Sequence, residues 1–240
     1  MDKTLHIGIP IRRVPSKAVV MGDPERIDLV LELMDSWRDL GLRRGYRGVV
    51  GKIGAGMIGV YSHGIGGPSA SIVFEELVKA GVKTIVRLGT CGGLREDIRP
   101  GTVIVATASG VRKTGCSTNM YAGDNTPPMA PDPLLASRIY ESLKVSGVDV
   151  LLGPVFTSDA FYAEAPGLAR ELAGLGYVGI DMETAILYYL SWMRGYRAAS
   201  VLIVSNNLVA NTDEYLSNRD MIDTIKKVFK TIAETLAGEG

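Results

Sequence analysis

The stretch Ile85-Val86-Arg87-Leu88-Gly89-Thr90-Cys91-Gly92-Gly93 puts an arginine near the end of an apolar run and a glycine-flanked hydroxyl just after it. Taking a guanidinium out of water costs several kcal/mol unless an anion or a full set of acceptors meets it. The glycines let a ligand approach the backbone and meet its N–H groups. In parallel sheets, ligands bind outside the carboxyl ends of the strands. An arginine, a hydroxyl and free amides converging there describe a phosphate site. The alternative is a tight strand-to-loop turn whose arginine pairs with an acidic neighbour.

Four further motifs fall where strands end. Met21-Gly22-Asp23-Pro24-Glu25-Arg26 brings a glycine and an arginine to a helix start, where amides and guanidinium can hold an anion; Asp23-Pro24 would equally start a helix in any protein. Ser62-His63-Gly64-Ile65-Gly66-Gly67-Pro68-Ser69 is glycine-dense, which suits ligand approach or a sharp chain reversal. Gly179-Ile180-Asp181-Met182-Glu183-Thr184-Ala185 sets two carboxylates around a methionine. A carboxylate accepts from the vicinal hydroxyls of a sugar while a thioether packs on its apolar face; Asp181 also suits a helix cap. Val201 to Asn207 is an apolar strand ending in Ser205, Asn206 and Asn207. Asparagine both donates and accepts, as reading a base edge requires, or it serves a turn.

The elements that must position these groups alternate β-like and helical patterns, so the chain reads as one α/β domain over residues 1–240: three layers, helices on both sides of a mixed central sheet. Strands are expected at Ala18–Met21, Thr84–Leu88, Thr102–Ala108, Asp149–Val155, Val178–Ile180 and Ala199–Val204. A hairpin joins Val49–Ile53 to Met57–Tyr61. Helices are expected from Pro24 to about Trp37, and over Ser69–Ala80, Pro133–Ser146, Gly167–Leu175, Met182–Met193 and Asp220–Ala237. Val111 to Pro131 reads as a long loop suited to a lid. Gly54-Ala55-Gly56-Met57-Ile58-Gly59 matches a dinucleotide-binding pattern, but no long helix can follow it through Gly64, Gly66, Gly67 and Pro68.

Charge excludes one class of partner. With 26 basic and 26 acidic residues the formal net charge is zero, which argues against a nucleic-acid binder. No apolar run approaches a membrane span and the N-terminus lacks a signal-like core, so a cytoplasmic protein is expected. Cys91 and Cys116, with His6 and His63, form no metal-ligand spacing.

Together the motifs resemble the hexameric nucleoside phosphorylases, the family of bacterial-type purine nucleoside phosphorylase and uridine phosphorylase. Gly-Asp-Pro-x-Arg at 22–26, His-Gly-x-Gly at 63–66, Arg-x-Gly-Thr-Cys-Gly at 87–92, Phe161-Tyr162 and Met182-Glu183 appear in the family's order. The resemblance implies reversible phosphorolysis of a nucleoside to free base and ribose 1-phosphate, with inorganic phosphate as co-substrate and no cofactor or metal. It implies that Gly22, Arg26, Arg87 and Thr90 bind phosphate, joined by Arg44 from a neighbouring subunit, with Arg43 and Arg47 close by in sequence. His6, also across a subunit boundary, would join Met182 and Glu183 on the ribose. Cys91, Gly92, Phe161 and Asn206 would meet the base, with Asn206, Arg219 and Arg87 carrying the chemistry. A hexamer of three dimers with shared sites is the implied assembly.

Two departures from the family pattern occur: Asp181 stands where glutamate is more frequent, and Asn206 bears on the base. Asn206 stands where the bacterial purine enzyme has an acidic aspartate, which favours inosine and guanosine over adenosine. The uridine branch reads uracil with a glutamine and an arginine shortly after Phe-Tyr. Here Ala163-Glu164-Ala165-Pro166-Gly167 follows, the chain has no glutamine, and residue 207 is Asn where uridine enzymes have arginine. Uridine is the alternative substrate. A hydrolytic nucleosidase and a non-catalytic nucleotide-binding module lie further off, the first because Arg26 and Arg87 suit phosphate.

Overall fold

Strand β5 (Thr84–Gly93) is the central element, because it hydrogen-bonds to three others. It runs parallel to β1 (Lys17–Met21) over Thr84 to Arg87, parallel to β9 (Arg197–Asn207) along its length, and antiparallel to β8 (Gly179–Asp181) at Gly92 and Gly93. The computed structural model from which this is taken describes residues 3–112, 116–125, 127–210 and 214–238.

The remaining strands are β2 (Ser36–Arg43), β3 (Tyr46–Ile53), β4 (Gly56–Ser62), β6 (Val103–Val111) and β7 (Val150–Thr157). The nine form one mixed sheet in the order β2-β3-β4-β1-β5-β8-β7-β6-β9. Because β9 also pairs with β5, strands β5, β8, β7, β6 and β9 close into a circuit, and the other four extend from it as an open sheet. Closure removes free edges from the part of the sheet that carries Arg87.

Helices cover both faces, as expected for three layers. On one side α2 (Gly67–Ala80), α3 (Cys116–Ala122) and α6 (Thr184–Arg194) pack together, with Phe74, Leu77, Leu187 and Leu190 in the core. On the other, α7 (Asn218–Ala237) lies against α1 (Glu25–Leu31) and α4 (Pro133–Val145), burying Ile27, Val30, Leu135, Ile139, Val228 and Phe229. Helix α5 (Leu168–Gly174) closes a small third cluster with Leu94, Phe156 and Ile180. Local chemistry sets the helix starts. Asp132 accepts from Leu135 N at 2.8 Å before Pro133, and Ser217 accepts from Asp220 N at 3.1 Å.

Several expected boundaries move. Strand β5, expected to end at Leu88, runs on to Gly93, so Gly89 to Gly93 lie in the sheet beside β9 rather than in a loop with free amides. The helix expected from Pro24 to Trp37 stops at Leu31, and Ser36 to Arg43 form an edge strand paired to β3. Strand β2 is exposed and carries Arg38, Asp39 and Arg43, the charged composition that keeps a sheet edge from pairing further. Within the expected loop from Val111 to Pro131, α3 occupies Cys116 to Ala122; residues 113–115 and 126 lie outside the described residues. Among the described residues no helix is long and apolar enough to cross a membrane.

Candidate active site

Arg87 sits on β5, 3 % exposed, and its guanidinium lies back along its own strand over Gly89. A Cβ at residue 89 would fall on that guanidinium, so the glycine is required by the arginine's path. Both readings of the Arg87 segment meet here: the arginine has acidic partners, and it also lines a cavity. Its Nη2 donates to Glu183 Oε2, and Nη1 is 3.1 Å from Asp181 Oδ2. Nε is buried with no hydrogen-bond partner, and Nη1 lacks the alignment of a hydrogen bond despite the ion-pair distance. Arg87 therefore keeps unused donor capacity beside the cavity that it lines.

The two carboxylates are held from behind. Glu183 Oε1 accepts from Gly66 N at 2.7 Å, which ties the Ser62–Ser69 loop to the start of α6. Gly66 adopts φ +85°, a region that favours glycine, so the loop's glycine density serves both reversal and this contact. Asp181 accepts from Thr157 Oγ1 at 2.7 Å, Thr184 Oγ1 at 2.6 Å and Thr184 N at 3.0 Å. It is thus cap and counter-ion together. Burial pushes its carboxyl up, while Arg87 pulls it down and Glu183 pushes it up further.

Around this pair opens a cavity of about 830 Å³, lined by Gly22, Asp23, Arg26, Arg87, Thr90, Cys91, Gly92, Phe161, Glu164, Met182, Glu183, Ser205, Asn206 and Tyr215 among others. Arg26 enters from the first turn of α1. That helix has only seven residues, so the guanidinium rather than the helix end supplies the charge. Burial holds the Arg26 pKa below its ordinary value, opposed by Asp23 and reinforced by the nearby Arg87 cation. Two like charges directed at one cavity make the anion end.

At the other end Phe161, in a single 3-10 turn (Phe161–Ala163), stands 62 % exposed on the rim. Ser205 Oγ donates to Asn206 Oδ1 at 2.9 Å, which leaves the Asn206 amino group to donate into the cavity. Asn207 faces away: its amino group donates to Arg95 O and Ile98 O at 2.9 and 2.7 Å, and its carbonyl accepts from Val209 N and Ala210 N. It braces a loop.

Arg44, Arg219 and His6 lie off this wall, as do the nearby Arg43 and Arg47. Arg44 is exposed at the β2–β3 turn with φ +55°, Arg47 is paired with Asp28 and Asp39, and the Arg43 side chain runs beside Gly8. Arg219 is exposed in the first turn of α7. His6 is held on α2, its Nδ1 2.7 Å from Glu76 Oε1, with Glu76 also accepting from His6 N and Ile7 N. Sequence reasoning passed over Glu76, because nothing local marks a partner seventy residues away. It also gave Glu164 and Tyr215 no part in the site. Tyr215 is brought in by an isolated bridge to Asn206. Among the described residues no cluster of His, Cys, Asp and Glu could hold a metal ion.

Arg26 and Arg87, the Met182-Glu183 pair, Asn206 and Phe161 thus line one cavity. A model of the phosphorylase superfamily matches residues 16–238, and the chain belongs to that family. It is an enzyme of the pentosyltransferase type. It is 30 % identical to a guanosine phosphorylase of Halorubrum lacusprofundi over 92 % of this chain and 90 % of that one. With a DeoD-type purine nucleoside phosphorylase of Bacillus subtilis the identity is 32 %, over 92 % and 96 %. Among solved structures, purine nucleoside phosphorylase of Toxoplasma gondii with immucillin-H aligns at a TM-score of 0.88 and 25 % identity, covering 100 % of this chain and 98 % of that one. Uridine phosphorylase of Vibrio fischeri aligns at 0.87 and 30 %, covering 98 % and 97 %.

His63, within the Ser62–Ser69 loop, is fully buried and edge-on to Phe74 at 5.6 Å, with neither ring nitrogen hydrogen-bonded. Burial, and then the Arg87 cation, lower its pKa from 6.5 to about 3. The folded value is below the unfolded one, so below pH 6.5 the unfolded chain binds the extra proton. This contribution to stability is therefore complete above pH 6.5 and is lost as pH falls toward 3. Denaturant unfolding of wild type and His63→Phe should diverge across that window, the wild type losing up to about 1.4 kcal/mol more per pH unit; parallel curves would contradict a buried neutral imidazole. Arg87→Met leaves two buried carboxylates without their cation and should cost about 3–5 kcal/mol at neutral pH. A loss within experimental error would mean the ion pair does not organise the site.

Proposed function

We propose that the chain catalyses reversible phosphorolysis of 6-oxopurine nucleosides, inosine and guanosine, to free base and ribose 1-phosphate. The observation that carries this is the meeting of Arg26, Arg87 and Thr90 with Met182-Glu183 and Asn206 around one cavity. Phosphate held by Gly22, Arg26, Arg87 and Thr90 is the nucleophile, poised against the anomeric carbon of the ribose. As the glycosidic bond stretches, positive charge grows on the sugar, where the phosphate dianion stabilises it. Negative charge grows on the base, where the Asn206 amino group donates to N7 and the 6-oxo oxygen. An amide cannot give up a proton, so Asn206 stabilises the leaving base by hydrogen bonding alone. Met182 packs on the apolar face of the ribose, Glu183 accepts from its hydroxyls, and Cys91, Gly92 and Phe161 enclose the base. Inorganic phosphate is the co-substrate and no cofactor enters the chemistry.

His6, Arg44 and Arg219 belong to the same proposal through the assembly. With His6 and Arg44 off the cavity wall, their roles require a neighbouring copy in a homo-oligomer, a hexamer of three dimers, and Arg219 requires α7 to approach the base. The names of the Halorubrum and Bacillus relatives support purines; the Vibrio structure keeps uridine as the alternative. The loop-bracing hydrogen bonds of Asn207 weigh against uridine, since that position offers nothing to a uracil.

Base release from inosine, guanosine, adenosine and uridine, each with and without phosphate, tests the reading. Phosphate-dependent release from inosine or guanosine is expected. Release independent of phosphate would make the enzyme a hydrolase, and preference for uridine would overturn the assignment of the base wall. Asn206→Asp should raise the adenosine-to-inosine ratio of kcat/KM by about tenfold or more, the worth of one charge-assisted hydrogen bond. An unmoved ratio would remove Asn206 from base recognition.

A further inference from the structure

Glu164 has no role in the chemistry above, yet it lines the cavity together with Arg87 and Asn206. It follows the Phe161–Ala163 turn, half-buried, on the strip that separates the main cavity from a side hollow of about 250 Å³. Arg112 lines that hollow too, but among the described residues neither it nor any other group makes a hydrogen bond or ion pair with Glu164. This differs from Asp181 and Glu183, whose oxygens are engaged by Arg87, threonines and a backbone amide. It is a carboxylate with its accepting capacity unspent, placed where a base would lie.

We propose that Glu164 reads the donor edge of the base and makes guanosine the preferred nucleoside, an inference that rests on the purine reading above. Asn206, with its amino group free, suits the N7 and 6-oxo acceptors. The remaining edge of a 6-oxopurine then faces other parts of the wall. Guanine presents there two adjacent donors, N1–H and the 2-amino group, spaced to meet the two oxygens of one carboxylate. Hypoxanthine presents N1–H alone. Adenine presents an unprotonated N1, whose lone pair opposes a carboxylate, which has only acceptors to offer. Two charge-assisted bonds exceed one, and a base that presents a lone pair to the carboxylate gains neither. The order of preference is guanosine, inosine, adenosine.

The test is kcat/KM for these three nucleosides at saturating phosphate, in wild type, Glu164→Gln and Glu164→Ala, with uridine alongside. Wild type should favour guanosine over inosine by about tenfold. Both variants should lose most of that preference, and Glu164→Gln, whose amide can donate to N1, should gain adenosine activity relative to inosine. Melting curves for each variant separate a reading role from a structural one. If all three nucleosides fall by the same factor, or if the guanosine-to-inosine ratio stays at its wild-type value, Glu164 does not read the base. A wild-type enzyme that releases uracil but no purine would instead overturn the purine reading, and this inference with it.

Discussion

The site depends on one buried cation. Arg87 is carried into the core on a strand with no free edge, and everything near it follows from keeping that charge compensated. Glu183 and Asp181 neutralise it, Thr157, Thr184 and Gly66 N hold those two carboxylates, and Gly89 has no side chain so that the guanidinium can lie flat. Two carboxylates against one arginine would leave a negative excess; Arg26 balances it from α1. Arg26 also pairs with Asp23 at 4.0 Å, and the two arginines still repel one another. A dianion entering there relieves that repulsion and satisfies the Arg87 donors that the protein leaves unused.

The two ends of the cavity are built differently. The anion end comes from β5, β8 and the starts of α1 and α6, all packed against the main cores. The proposed base end combines Cys91 and Gly92 on β5 and Asn206 on β9 with a three-residue turn, the bridge at Tyr215 and the exposed ring of Phe161. Under that proposal the phosphate contacts sit on packed elements, and part of the base contacts sits on short, exposed segments.

Much of this was legible in the sequence, for physical reasons. A charge inside an apolar run is costly, so Arg87 stood out against its neighbours; glycines at strand ends and a Met-Glu pair at a helix start pointed to the same cavity. What stayed hidden was long-range. Ser36–Arg43 follows a helical pattern with no stop signal between, and only pairing to β3 makes it a strand. The closure of β9 onto β5 joins segments more than a hundred residues apart. Asp181 read as a helix cap, which it is, but its contact with Arg87 depends on β8 lying beside β5. The seventy-residue reach from Glu76 to His6 has no local signature at all.

The closed circuit of β5, β8, β7, β6 and β9 has a consequence for how the molecule opens. A strand bonded on every side cannot fray, so the amides beside Arg87 exchange with solvent only when the domain unfolds as a whole, whereas those of the Phe161 turn exchange through small local openings. The two substrates should then leave different signatures in hydrogen exchange. Phosphate, bound to the circuit as proposed, would raise the free energy of global opening by its own binding linkage and slow exchange throughout the core. A base held, as proposed, by Cys91, Gly92 and Asn206 as well as Phe161 would add the same linkage and would also quiet the local openings of the turn.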